Sequence, residues 1–192
     1  MGKEFELKYA ADPQILSAIA KEFDQLAEIS METTYYDTAD KDFSARQMTL
    51  RRRYENGRSV CTLKAPDGDN RRKEFETEAP TIEAAIPVLC KLSGWSELAT
   101  LAEKGLVVAC GAKFIRRAAI IDQPDCVLEI ALDSGILLGG GREVPLCELE
   151  IELKSGSEAA ATQYATILAT QFGLRREPKS KFARAKALAE AN

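Results

Sequence analysis

Glutamate and lysine side chains alternate with apolar residues in several short segments, and their types could bind a metal ion and phosphate. Glu4, Glu6 and Lys8 share one face of such a segment, because side chains of a β-strand point to alternate sides. The stretch ELEIELK at residues 148–154 repeats this pattern. Carboxylates favour hard cations such as Mg²⁺ or Mn²⁺, whereas lysine and arginine neutralise phosphate oxygens. These segments therefore indicate phosphate chemistry with a divalent cation.

A basic cluster is predicted on the central part of the chain by the dipeptide at residues 56–57. Asn-Gly is the strongest short signal for a two-residue hairpin turn. Such a turn fixes the register of the strands it joins, and directly opposed residues point the same way. Arg51, Arg53 and Lys64 consequently lie on one face, where they could bind an anion.

The simplest interpretation of these alternating strands is a sheet with its polar face in water. Two features argue against it. Acidic faces lie at the two ends of the chain and a basic face on the central hairpin. Like charges also stand side by side, as at Glu74, Glu76 and Glu78, which is unfavourable unless a cation is present. A closed sheet would turn these faces inward and place a carboxylate cluster beside an Arg/Lys cluster.

The elements that must position these residues are mostly strands joined as hairpins. Hydrophobic periodicity predicts strands at residues 3–9, 33–37, 48–54, 59–64, 71–78, 113–121, 126–133 and 146–154. It predicts helices from 13 to about 29, over 82–104 in two pieces, from 157 to about 172, and from 180 onward. The run of three glycines at 139–141 is interpreted as a turn. The pattern predicts an α+β fold in which an antiparallel sheet could close into a barrel, with helices packed outside.

Composition excludes several other function classes. The 192 residues contain no histidine, so Ser-His-Asp and Cys-His catalysis are excluded. A net charge of −4 gives no reason to expect nucleic-acid binding. Five scattered cysteines indicate reduced thiols, and no apolar run approaches the roughly 20 residues of a membrane span. Nucleotide-binding glycine motifs are absent. We therefore expect a cytoplasmic protein that binds neither nucleic acid nor membrane.

An ordered series of motifs resembles the CYTH, or triphosphate tunnel metalloenzyme, superfamily. It begins with Glu4-x-Glu6-x-Lys8 and runs through TTYYD, LRRR, TLK, RKEFE, EIALD and ELEIE to Ser180-Lys181-x-x-Arg184. The stretches ENGR, EIALDSG and PLCELEIEL are most similar to the bacterial inorganic triphosphatases. The resemblance implies a single CYTH domain over residues 1–192, an eight-stranded antiparallel β-barrel forming a triphosphate tunnel, and Mg²⁺ or Mn²⁺ as cofactor.

The resemblance also implies roles for individual residues. The implied metal ligands are Glu4, Glu6, Asp133, Glu150 and Glu152. The implied triphosphate-binding residues are Lys8, Arg51, Arg53, Lys64, Arg72, Arg116 and Lys181. The residues implied in catalysis are Glu4, Glu6, Lys8, Glu150 and Glu152. Candidates for a second cation, or for fixing the basic side chains, are Glu74, Glu76, Glu129 and Glu148. Arg117 competes with Arg116 for its place, and Lys179 with Lys181.

The resulting hypothesis is a metal-dependent inorganic triphosphatase that releases phosphate and pyrophosphate, acting as a monomer or homodimer. Two alternatives remain open. The same tunnel could act on a nucleoside or thiamine triphosphate, or cyclise ATP as class IV adenylate cyclases do. It could also bind polyphosphate without cleaving it.

Overall fold

One antiparallel sheet and six helices make up the α+β fold of the part of the chain described by the computed structural model, residues 5–67 and 72–191. The strands are β1 (Glu6–Ala10), β2 (Ala27–Thr38), β3 (Thr49–Glu55), β4 (Arg58–Pro66), β5 (Arg72–Glu78), β6 (Leu106–Gln123), β7 (Cys126–Gly139), β8 (Arg142–Gly156) and β9 (Arg175–Arg176). The helices are α1 (Pro13–Ala20), α2 (Asp42–Ala45), α3 (Ile82–Ser93), α4 (Glu97–Glu103), α5 (Glu158–Phe172) and α6 (Lys181–Glu190).

The prediction of a closed eight-stranded barrel is wrong. The described residues form a nine-stranded sheet in the order β5-β4-β3-β2-β6-β7-β8-β1-β9, and no ladder joins its two ends. A ninth, unpredicted strand lies at one end of the sheet, where Tyr9 pairs with Arg176 and Ala10 with Arg175. β9 thereby pairs with the last two residues at the edge of β1. The sheet nevertheless curves strongly, since side chains from both of its halves reach one cavity.

Helices cover the apolar face of the sheet. α1 and α5 pack on Leu7, Leu149 and Ile151 of β1 and β8, and α3 and α4 pack on the hairpin of β3 and β4 with β5. Because side chains alternate along a strand, the neighbours of these apolar residues point to the opposite face. The charged face predicted from the sequence is therefore the face opposite these four helices, and α6 packs on part of it through Phe182 and Ala185.

The strand register of the central hairpin confirms the prediction from Asn56-Gly57. Both residues have positive φ, 50° and 87°, as a type I′ turn requires. Arg51 pairs with Thr62, Arg53 with Val60, and Thr49 with Lys64. The break between α3 and α4 is also confirmed, since Gly94 ends α3 with φ 69°. Gly140 and Gly141 form the turn between β7 and β8.

The helix predicted from residue 13 to about 29 is too long. α1 begins as predicted, with the Asp12 carboxylate accepting a hydrogen bond from the Ile15 amide at 2.8 Å, but it ends at Ala20. Residues 27–38 instead form β2, whose buried residues Met31, Thr33 and Tyr35 recur with period two. Strands β6, β7 and β8 are also longer than predicted. Within the described residues, no helix is long and apolar enough to cross a bilayer.

Helix α6 is seated directly on the turn between β7 and β8. A Cβ atom added to Gly139 would lie 2.3 Å from the Ala185 carbonyl oxygen and 2.7 Å from the Ala189 amide nitrogen. Both contacts are with backbone, which cannot move without shifting the helix. Gly139 therefore sets how closely α6 approaches the sheet.

Gly139→Ala is expected to lower the free energy of unfolding by about 1–3 kcal/mol, because the added methyl group must push α6 away. Chemical denaturation measures this loss. Glu143→Ala, an exposed change on β8, should alter stability by no more than about 0.5 kcal/mol. Equal stability of the two variants would contradict the close seating of α6.

Candidate active site

A cavity of about 480 Å³ opens on the charged face of the sheet, beside α6. Its lining comes from each of the strands β1 to β8 and from the first turn of α6. Among the described residues, eight lysines or arginines and seven glutamates line it. This volume suits a small molecule, and the lining suits a highly charged one.

Most residues predicted for the site line this cavity. They are Glu6, Lys8, Arg51, Arg53, Lys64, Arg72, Glu74, Glu76, Arg116, Glu129, Glu150, Glu152 and Lys181. Glu4 lies outside the described residues. Asp133 and Glu148 do not line the cavity and are fully buried beneath its lining residues. Of the two competing pairs, Arg116 and Lys181 are the members that reach the cavity.

One wall is a row of carboxylates across three neighbouring strands. Glu6 of β1 pairs with Glu152 of β8, and Glu152 pairs in turn with Glu129 of β7. Directly opposed like charges destabilise a sheet. Lysines offset part of this repulsion, since the Lys8 Nζ lies 3.7 Å from Glu6. We call this set the carboxylate row, Glu6, Glu152 and Glu129. Its oxygen donors are the type that Mg²⁺ and Mn²⁺ prefer, so the row fits the predicted cofactor.

Behind this wall, a lysine fills the centre of a second group of carboxylates. Asp133, Glu148 and Glu150 have oxygens within 4.8 Å of one another. The Lys181 Nζ lies 2.6 Å from Asp133 and 2.7 Å from Glu150, and it also contacts Glu148. Arg116 donates two hydrogen bonds of 2.8 Å to Asp133. This group is already neutralised by side chains, so it is a poorer place for a metal than the carboxylate row.

In this buried group Glu150 and Lys181 stabilise each other's charge, whereas burial raises the pKa of Glu148 above its ordinary value. Burial alone would raise the pKa of Glu150, but Lys181 and Arg116 outweigh it and hold that pKa well below its ordinary value. Burial alone would lower the pKa of Lys181, but Glu150, Asp133 and Glu148 raise it above its ordinary value. Lys181 is therefore a permanent cation at the cavity wall.

The other wall carries the cations of the central hairpin, held in place by β5. Arg51 donates a hydrogen bond of 3.0 Å to Glu74 and lies 3.5 Å from Glu76. The Lys64 Nζ lies 3.2 Å from the other oxygen of Glu74. Register explains this arrangement, since Lys64 pairs with Glu74 across β4 and β5. The β5 glutamates therefore orient the basic side chains.

The positive charge of Arg53 is less well balanced by nearby carboxylates than the charges of Arg51 and Lys64 on the same wall. It donates a hydrogen bond of 3.1 Å to the Thr33 hydroxyl, and its guanidinium lies 3.6 Å from Glu55. Burial lowers the pKa of Arg53, and the positive charges of Arg51 and Arg116 lower it further. The charge of Arg53 remains, because arginine stays protonated in proteins, but it is costly in the absence of an anion.

Sequence reasoning missed Lys154 and Glu55 as cavity residues. Glu55 precedes the hairpin turn and shares the face of Arg51 and Arg53, so alternation alone could have found it. Lys154 shares the face of Glu150 and Glu152 in the ELEIELK stretch, and the same alternation signal pointed to it. Its immediate setting involves a β-bulge, which the sequence does not reveal.

Comparisons with known proteins agree with this architecture. The inorganic triphosphatase of Haemophilus influenzae is 31% identical over 166 residues, which is 82% of this chain and 47% of that protein. The chain thus spans about half the length of this curated relative.

Two solved structures share the fold over nearly their whole length. A putative adenylyl cyclase from Hippeastrum, described as revealing a dominant triphosphatase activity, superposes with a TM-score of 0.67 at 17% identity, covering 97% of this chain and 96% of that one. A protein from Pyrococcus horikoshii OT3 superposes with a TM-score of 0.65 at 23% identity, covering 98% and 99%. The sequence match that assigns a family also covers most of the chain. The CYTH domain model matches residues 2–185, so this chain belongs to the CYTH domain family.

Proposed function

We propose that this protein is a metal-dependent triphosphatase that hydrolyses inorganic triphosphate to phosphate and pyrophosphate. The observation that carries the proposal is the single cavity walled by the carboxylate row and by the cations of the central hairpin. A metal–polyanion complex complements such a cavity, because the anion pairs with the cations and the metal with the carboxylates.

The aromatic residues in the cavity lining favour an inorganic substrate. Its two aromatic residues, Tyr35 and Phe182, pack against each other with ring centroids 5.1 Å apart. Tyr35 is only 4% exposed. Tyr35 therefore offers little ring surface on which a nucleobase could stack. The relative from Haemophilus influenzae is named an inorganic triphosphatase, which supports the same substrate.

The basic residues would bind the phosphate chain and stabilise the charge that develops as it is cleaved. Arg51, Arg53 and Lys64 project from the central hairpin, and Lys181 and Arg116 from the side of the buried carboxylates. Glu74, Glu76, Asp133 and Glu148 contact these cations. We assign these four acidic residues to positioning, although the resemblance implied Asp133 as a metal ligand.

The carboxylate row would hold the metal, with Glu150 at its margin and Glu4 as a further ligand implied by the resemblance. When bound, Mg²⁺ or Mn²⁺ would neutralise phosphate charge and lower the pKa of water. Glu150 is a poor proton acceptor, because Lys181 and Arg116 hold its pKa low. The proton of the attacking water would therefore go to a carboxylate oxygen of Glu6 or Glu152.

The test is phosphate release from inorganic triphosphate by the purified chain, with Mg²⁺, with Mn²⁺ and after metal removal by a chelator. We expect turnover with metal and a loss of at least about a hundredfold without it, since metal ions contribute several kcal/mol of transition-state stabilisation. Pyrophosphate should accumulate in an amount equal to the phosphate released.

ATP, thiamine triphosphate and pyrophosphate form the comparison panel. Faster turnover of ATP than of inorganic triphosphate, or formation of cAMP, would favour nucleotide chemistry in the same cavity. Tight binding of inorganic triphosphate without metal-dependent turnover of any compound would leave a binding module and overturn the enzymatic proposal.

A further inference from the structure

The Lys154 side chain lines the cavity and contacts two members of the carboxylate row, Glu152 and Glu129. Its Nζ lies 3.0 Å from Glu152 and 3.7 Å from Glu129. The Lys154 side chain is 40% exposed, compared with 30% for Glu152 and 24% for Glu129. The ammonium group is therefore held by carboxylates of two different strands and still reaches water.

The backbone of β8 is irregular at this residue. Leu128 of β7 pairs with Leu153, and the preceding Val127 pairs with Ser155. Lys154 is therefore an extra residue of β8 in this ladder. An extra residue of this kind is a β-bulge, which bends the strand and re-aims a side chain, often beside an active site. The bulge therefore lies at the residue whose amine contacts the paired glutamates.

We propose that Lys154 competes with a divalent cation for Glu129 and Glu152, and so weakens the metal affinity of the carboxylate row. The inference rests on the metal-binding role proposed above for that row. A lysine ammonium and a divalent cation bind the same carboxylate oxygens. A metal ion entering between these two glutamates must displace the amine, or bind beside its positive charge. Lys154 thereby keeps the metal exchangeable at the open end of the cavity.

The test is a Mn²⁺ titration of the metal-stripped chain, with free Mn²⁺ measured by electron paramagnetic resonance. Lys154→Met is expected to bind Mn²⁺ at least about tenfold more tightly than the unsubstituted protein, because a positive charge in contact with the carboxylates that would hold the ion is removed. Lys154→Arg keeps the charge and should show no gain.

Two control variants test whether the gain in Mn²⁺ affinity arises at the carboxylate row. Lys113→Met removes an exposed lysine that pairs with Glu32 at 3.1 Å outside this cavity, and it should leave Mn²⁺ affinity unchanged. Glu129→Gln in the Lys154→Met background should abolish the gain. Circular dichroism of each variant checks that the fold is retained.

The outcomes separate this inference from the proposed function. If the unsubstituted protein binds Mn²⁺ and Lys154→Met binds it equally well, the inference is overturned while the metal site stands. If only Lys154→Met binds Mn²⁺, the inference holds and metal dependence of the natural protein fails. If neither binds Mn²⁺, both are overturned.

Discussion

Arg53→Met is expected to lower triphosphate turnover by about 100- to 1,000-fold, the loss typical of removing one preorganised donor to developing charge. The same change should make the metal-free protein more stable. Arg53 is a buried cation with Thr33 and Glu55 as its nearest compensating groups, and the charges of Arg51 and Arg116 oppose it. Replacing a poorly compensated charge with an apolar side chain of similar size removes the desolvation cost of that charge.

The combination of lost activity and gained stability distinguishes a binding residue from a structural one. Steady-state kinetics and thermal unfolding of the same preparation measure the two effects. Arg52→Met is the matched control, since Arg52 lies over the Tyr54 ring at 4.8 Å and donates to the Pro80 carbonyl outside the cavity. It should retain turnover. A less stable Arg53→Met with normal turnover would contradict a substrate-binding role.

Lys181→Met should have the largest effect on folding. The side chain of Lys181 is 7% exposed and lies among Asp133, Glu148 and Glu150, of which the first two are fully buried. Its removal leaves buried carboxylates with too few cations, and breaking a buried ion pair in this way costs about 3–5 kcal/mol. Urea denaturation measures the loss, and turnover should fall with it because the cavity wall loses a cation.

Lys179→Met provides the control, because Lys179 is exposed and belongs to the same segment before α6. It should change stability by no more than about 0.5 kcal/mol. Adding Glu148→Gln to Lys181→Met should recover part of the lost stability by removing a negative charge. If Lys181→Met alone is as stable as the unsubstituted protein, the buried carboxylates are not held by this lysine.

The sequence predicted the basic wall well because its geometry is local. Asn56-Gly57 determines a turn type, the turn determines the register, and the register brings Arg51, Arg53 and Lys64 to one face. Alternation in β1 and β8 similarly placed Glu6 and Glu152 on one side. These inferences needed no knowledge of how distant segments pack.

Predictions that depended on distant contacts were the ones that differed from the structure. Ile15, Ile19, Phe23 and Leu26 have helical spacing, so the sequence favoured a helix to about residue 29. Residues 27–38 become β2 because β3 and β6 pair with it on both sides. Likewise, alternation puts Asp133 on the correct face, but only α6 reveals that Lys181 covers it. Closure of the barrel was wrong because no ladder joins the two ends of the sheet within the described residues, and strand alternation alone does not reveal whether distant ends pair.

The open sheet leaves two edges that could recruit strands from other molecules, a common route to aggregation. Both edges have features that discourage such pairing. β9 is only two residues long, and both are arginine. Five of the seven residues of β5 are charged, in the segment RKEFETE. A neighbouring chain would have to desolvate these charges to add a strand. The β5 glutamates that orient Arg51 and Lys64 are therefore also among the charges that disfavour strand addition at this edge.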